Sequence, residues 1–279
     1  MHGIKRFLVV AGVLGLMVAA AQAGTIGYWR FEGSSFLGDS GPNGLALTTT
    51  GTAPSQLTLP ATGAGSTFYD PVPAGANASA ANYGTSQTGN FRIADTAAFT
   101  VSDFTIEALV NKAATSSNVM YVASQWSNAG SFTNQRSWTF YMTAAGEMTV
   151  SLNHNGGSTS TTIASGLTLD TGDDYYVAAS FDLSDQASGL TFYVKNLTDG
   201  GAMQTASFGH TLTALHNSTA YFEIGTYNNS DGSRRWKGLI DEVRLSNEVL
   251  PPSQLLPEPA TLALLGMGAA TLVFRRRRA

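Results

Sequence analysis

Between the two ends of this chain, apolar residues recur at every second position in short runs, and helical periodicity is nearly absent. Phe104, Ile106, Ala108 and Val110 share one face of such a run; Met148, Val150 and Leu152 share another, and Leu190, Phe192 and Val194 a third. A period of two puts alternate side chains on opposite faces of a strand. Further runs cover 25–31, 119–126, 137–142, 175–181, 221–224 and 237–245, separated by Gly, Asn, Asp and Ser turns. About ten strands exceed what one open twisted sheet holds comfortably, so the pattern predicts two packed antiparallel sheets, an all-β sandwich.

The ends read differently. Residues 1–23 join a short basic start, an apolar run over 7–20 and Ala21-Gln22-Ala23, the layout of a secretory signal peptide. At the other end, a linker over 251–259 closes on Pro257, Glu258 and Pro259, and the tail 260–279 holds a predicted short hydrophobic helix over 260–274 and Arg275 to Arg278. Fifteen helical residues span roughly 22 Å, short of the roughly 30 Å of a hydrocarbon core. Such a segment predicts only transient membrane contact, with the arginines on the cytoplasmic side. One domain over 24–250 remains. Its stretch 48–90, rich in Thr, Ala, Gly, Ser and Pro with Asp70 its only charge, reads as a long low-complexity excursion.

The whole chain carries a formal charge of -4; between 24 and 256, nine Lys and Arg face eighteen Asp and Glu, a net -9. That balance argues against nucleic acid. There is no cysteine, so an exported domain rests on its core and, at most, on a metal.

The string "GDSGPNG" (38–44) resembles the loop that presents the nucleophilic serine of trypsin-like proteases. In that family the histidine base and the aspartate precede the serine, whereas only His2, in the signal segment, precedes Ser40. The commoner reading is a turn. "IGYWRFEGSSFLGDSGPNGLAL" (26–47), "FTIEALVNK" (104–112), "YYVAASFDLSDQASGLTFYVKNLTDG" (175–200), "FEIGTYNN" and "WKGLIDEVRLSNEVL" (236–250) resemble, in order, the segments of LamG-like jellyroll domains, relatives of laminin G, pentraxins and concanavalin A-like lectins. Leu109, where the family favours tryptophan, and Tyr175-Tyr176, where it carries Trp-His, depart from the pattern. "PEPATLALLGMGAATLVFRRRRA" resembles a PEP-CTERM sorting signal of Gram-negative bacteria, which implies export, processing by an exosortase and delivery to the cell surface or extracellular matrix.

Strand phase makes a metal prediction. Counted by twos, Leu239, Asp241, Val243 and Leu245 share a face, which sets a carboxylate among apolar residues and requires a partner or a bulge. Calcium takes six to eight oxygens. By resemblance to jellyroll domains in which a structural Ca2+ joins the chain ends, Asp39, Asn43 and Asp241, with Glu32 as a fourth, are the candidate ligands; the alternative is Asp39 capping its own turn and a bulged, solvated Asp241.

Glucanases of this fold carry E-x-D-x-x-E or E-x-D-x-E on one strand; no such string occurs, and Glu107 stands alone in its run. The expectation is a non-catalytic surface or matrix protein that binds glycan or protein; the alternatives are a structural matrix protein without ligand and a divergent glycoside hydrolase. Trp126 and Tyr227 are the candidate sugar-stacking rings, with Asn228 and Arg234 as donors, while Trp138 and Trp236 are assigned to the core.

Overall fold

The computed structural model describes residues 24–60, 68, 77–85, 88–227 and 234–255. The signal segment 1–23, the Pro257-Glu258-Pro259 motif, the C-terminal tail and Asn228 lie outside them. The described residues form fifteen strands. The first seven are β1 (Thr25–Trp29), β2 (Thr48–Thr50), β3 (Ser55–Thr58), β4 (Ser79–Gly84), β5 (Asn90–Ile93), β6 (Phe104–Lys112) and β7 (Met120–Ser127). Then follow β8 (Gln135–Met142), β9 (Glu147–Leu152), β10 (Thr161–Thr168), β11 (Asp174–Phe181), β12 (Leu190–Asn196), β13 (Gln204–Phe208), β14 (Phe222–Ile224) and β15 (Gly238–Ser246).

Two antiparallel sheets face one another. One runs β13-β12-β11-β6-β15-β4-β3, with β1 also pairing β15; the other runs β10-β9-β8-β7-β14-β5-β2. The predicted sandwich is thus present. Alternation decides the layers: Ile106, Ala108 and Val110 of β6 point into the space between the sheets, while Leu109 points out. Aromatic rings lock the sheets together across that space. Trp29 stacks on Phe222 at 4.9 Å and Phe104 on Trp138 at 4.9 Å. Trp138 and Trp236 are both 1% exposed, core residues as expected, and Trp236 Nε1 donates to Asn111 O at 3.0 Å.

The described residues of 48–90 include β2, β3 and β4 and the first residue of β5, and β4 lies between β15 and the edge strand β3 in the first sheet. Small Ala80 and Ala81 are fully buried there, and Tyr83 reaches into the core to donate to Ile224 O at 2.6 Å. Leu59 and Phe68 pack on the outer face of the same sheet with Leu109, Tyr176 and Tyr193. Leu250 and Leu255 belong to that outer cluster, so the last described residues lie against the first sheet's outer face.

Candidate functional site

The turn at 38–44 is a brace. Asp39 Oδ1 accepts from Tyr28 N at 2.8 Å and Gly41 N at 2.6 Å, and its Oδ2 accepts from Leu45 N at 2.8 Å. Asn43 Nδ2 donates to Ile26 O at 2.7 Å. Both residues fasten the turn to β1, Asp39 through its carboxylate oxygens and Asn43 through its amide nitrogen. Ser40 is exposed, and its backbone amide donates to Tyr28 O. His210 is engaged elsewhere, with Asp182 O and Leu212 N.

Asp241 has a different setting. A bulge between Asp241 and Arg244 sets Glu242 and Val243 against a single residue of β6, and Glu242 adopts a left-handed φ of +48°. For a residue with a side chain that conformation costs about 1 kcal/mol. The bulge corrects the phase read from the sequence: Val243 and Leu245 face the core, whereas Leu239 packs on the outer cluster. Asp241 is 0% exposed, not solvated. Burial first, then the neighbouring Glu242, push its carboxyl well above the usual range. The Asn77 amide pulls it down somewhat, yet Asn77 Nδ2 is committed to Phe68 O at 3.1 Å. Both Asp241 oxygens and Asn77 Oδ1 are left without a hydrogen bond of good geometry. Glu32 is the one other sequence candidate within electrostatic reach of Asp241; its Oε1 accepts from Ala78 N at 2.7 Å. Among the described residues, no group of three or more His, Cys, Asp and Glu is placed to hold a metal.

The bulge also lets two ion pairs form on the same outer face. Arg30 Nε pairs with Glu242 Oε1 at 3.0 Å, and Tyr28 OH donates to the same carboxylate. Arg244 Nε pairs with Glu107, which also accepts from Tyr176 OH at 2.7 Å. Glu107 is thus a buried structural anchor. Arg244 Nη2 reaches Gln254 O at 2.6 Å and pins the segment that leads out of the domain.

On the opposite outer face, that of the second sheet, β7, β8 and β9 and two loops enclose a cavity of about 400 Å³. Trp126, Tyr227 and Arg234, chosen from sequence, all line it. The sheet sets their positions. A bulge between Gln125 and Trp126 places Trp126 opposite Arg136, with the guanidinium 5.9 Å from the indole centroid. Tyr121 stacks on Tyr227 with centroids 4.4 Å apart, and Arg234 Nη1 donates to Tyr227 OH at 2.5 Å. Burial pushes the Tyr121 hydroxyl well above its ordinary pKa, with Arg234 opposing, so it stays a neutral donor.

The loop that brings Tyr227 and Arg234 in is closed at its base, where Trp236 N donates to Gly225 O at 2.8 Å. Gly225 has a φ of +78°, and a Cβ there would lie 2.2 Å from the Tyr83 ring, so only glycine fits. The other wall depends on Asn153, 0% exposed, whose Nδ2 donates to Gly157 O and Thr159 O. Arg136 Nη1 donates to the same Gly157 O at 2.7 Å.

At the floor, Thr139 and Ser151 face each other across β8 and β9. Thr139 is 2% exposed and its Oγ1 has no hydrogen-bond partner. Sequence reasoning missed Arg136, Thr139 and Ser151, because only the cross-strand register brings them to Trp126. Arg136 and Arg234 are the charged residues of the lining, which includes no carboxylate among the described residues. A second cavity of about 440 Å³ is lined by Asp103, whose Oδ1 is taken by Leu183 N; no aromatic ring lines it.

A two-sheet jellyroll of this topology is a concanavalin A-like domain. The chain belongs to the concanavalin A-like lectin/glucanases superfamily, whose family model matches residues 84–255. Residues 256–278 match the PEP-CTERM protein-sorting motif, which marks the chain for export and exosortase processing and begins one residue beyond Leu255. Among solved structures, the chain is similar to domain 4 of AbnA, a GH43 extracellular arabinanase from Geobacillus stearothermophilus, in complex with arabinotriose. Identity is 18% over 84% of this chain and 98% of that one, with a TM-score of 0.54. It is also similar to the binding domain of botulinum neurotoxin DC in complex with SialylT, at 9% identity over 85% of this chain and 51% of that one, TM-score 0.52. No curated protein matches the chain.

Proposed function

We propose that this exported jellyroll is a non-catalytic glycan-binding protein of the cell surface or extracellular matrix, and that its ligand lies in the Trp126–Tyr227 cavity. The observation that carries this reading is one cavity lined by two partly exposed aromatic rings, Trp126 and Tyr227, and two arginines. Rings such as Trp126 and Tyr227 present an apolar face with polar neighbours, which suits a sugar's C–H face. Glycoside hydrolysis needs two carboxylates across the scissile bond, and the described lining offers none. The arabinotriose-bound arabinanase domain is of the same fold.

The placement of the chain's exit favours display. Leu255 is buried on the outer face of the first sheet, and the cavity opens on the outer face of the second. A protein held through residues beyond 255 would thus present the cavity away from its attachment. A glycan array probed with the full chain and with Trp126→Ala tests the reading. Binding to a glycan that the variant loses supports it, and no binding by the wild type to any glycan rejects it in favour of a structural matrix role.

We also propose a structural cation, calcium by the all-oxygen chemistry of the donors. Of the residues nominated from sequence, Asp241 and Glu32 would hold it, joined by Asn77 Oδ1, while the Asp39 carboxylate serves three backbone amides. Bound there, the cation would neutralise a buried carboxylate.

A further inference from the structure

We infer that the ligand of the cavity is an acidic saccharide, a uronic-acid-containing glycan whose carboxylate is received by Arg136. This rests on the glycan reading above and narrows it. The domain between 24 and 256 is strongly acidic, yet the charged residues described in this lining are arginines alone. Two arginines side by side among the described lining residues of an acidic chain give an anion a local cationic partner.

Arg136 carries the argument. Its guanidinium is half-buried, stacks over Trp126, spends Nη1 on Gly157 O, and makes no ion pair among the described residues. A guanidinium has five N–H donors in a planar fork, and a carboxylate accepts two of them in parallel. The groups around it match the remainder of a uronate residue. The Trp126 ring beneath the guanidinium offers a face for the sugar ring. Ser158, exposed on the same lining, offers a hydroxyl to those of the sugar. A neutral hexose would use the ring face and Ser158 but leave the Arg136 fork to water. Lysine at 136 would keep the charge and lose the planar match.

The test is calorimetric titration of the full chain with a short oligogalacturonate, with the neutral oligogalactose obtained by reducing its carboxyls, and with a sulfated form of that neutral chain. The inference expects the oligogalacturonate to bind at least about tenfold tighter than the neutral chain, the scale of a charge-assisted hydrogen bond. The sulfated form should bind more weakly than the uronate. Arg136→Gln should remove that preference while leaving neutral binding in place, and Arg136→Lys should restore only part of it. Equal binding of acidic and neutral chains by the wild type, or preference for the sulfated chain, overturns the carboxylate assignment and leaves the glycan reading standing. No binding of any of the three, with an empty glycan array, overturns both.

Discussion

The guanidinium of Arg136 lies 5.9 Å from the ring centre of Trp126, directly across the β7–β8 ladder. Without the bulge between Gln125 and Trp126 the register would slip by one residue, and a one-residue slip turns side chains to the other face. The site therefore depends on sheet irregularity as much as on residue type.

Below that pair, Thr139 Oγ1 is buried with no partner. Thr139→Val removes a group that contributes no hydrogen bond to the free protein. Its stability should change by less than about 1 kcal/mol, or rise, because no partner is stranded. Ligand affinity should be kept, because that oxygen is closed to solvent. Thermal unfolding and titration of the same variant check both halves, and a fall in affinity with stability unchanged would show that the ligand reaches the floor.

The Glu107–Arg244 pair makes a contrasting prediction. Glu107 is 0% exposed and also accepts from Tyr176 OH. Arg244→Met removes the guanidinium from a buried carboxylate, a change that typically costs about 3–5 kcal/mol. Adding Glu107→Gln to Arg244→Met should recover part of the loss. Chemical denaturation of the single and double variants gives the coupling.

Alkaline titration probes the same core. Burial holds the Tyr83 and Tyr176 hydroxyls well above the ordinary phenol value. Above about pH 10 the unfolded chain releases these protons while the folded chain retains them. The folded state then binds more protons, so stability falls as pH rises, by about 1.4 kcal/mol per pH unit for each tyrosine until its folded pKa is reached. Ultraviolet titration should show both phenols ionising only as the protein unfolds.

Much of this fold is legible in the sequence. The runs that became β6, β7, β8, β9, β11, β12 and β15 alternate large apolar residues with polar ones, and burial against the other sheet needs that pattern. β4 was not legible: Ser79 to Gly84 offers two alanines and a glycine, and its place beside β15 comes from backbone pairing and close approach. β10 and β13 were missed because they are sheet-edge strands with little apolar content. At the site, Trp126, Tyr227 and Arg234 announced themselves as aromatics and a cation in polar loops. Arg136 and Thr139 did not, since their role depends on cross-strand register. For Asp241 the sequence exposed a conflict between charge and phase; a bulge with Glu242 in a left-handed conformation resets the phase, which no residue type signals, and leaves the Asp241 carboxyl buried.

The cation proposal separates Asp241 from Asp39. Calcium bound to the folded chain alone stabilises it by about 2.7 kcal/mol at a hundredfold excess over Kd. Chelator should lower the melting temperature of the wild type, and Asp241→Asn should abolish that response. Asp39→Asn should lower stability with or without calcium, because its carboxylate holds three backbone amides, and should keep the calcium response. Ser40→Ala should do little. A wild type indifferent to chelator would contradict the cation.

The most direct test of the central claim, that this jellyroll binds glycan through the Trp126–Tyr227 cavity, is calorimetric titration of the full chain and of Trp126→Ala and Tyr227→Ala with one glycan recovered from the array. Each variant should bind roughly tenfold more weakly, the equivalent of about 1.4 kcal/mol, and stay folded, since neither ring is in the core between the sheets, with Tyr227→Ala losing only its stack on Tyr121 and its bond to Arg234. Affinity unchanged in both variants would contradict the account.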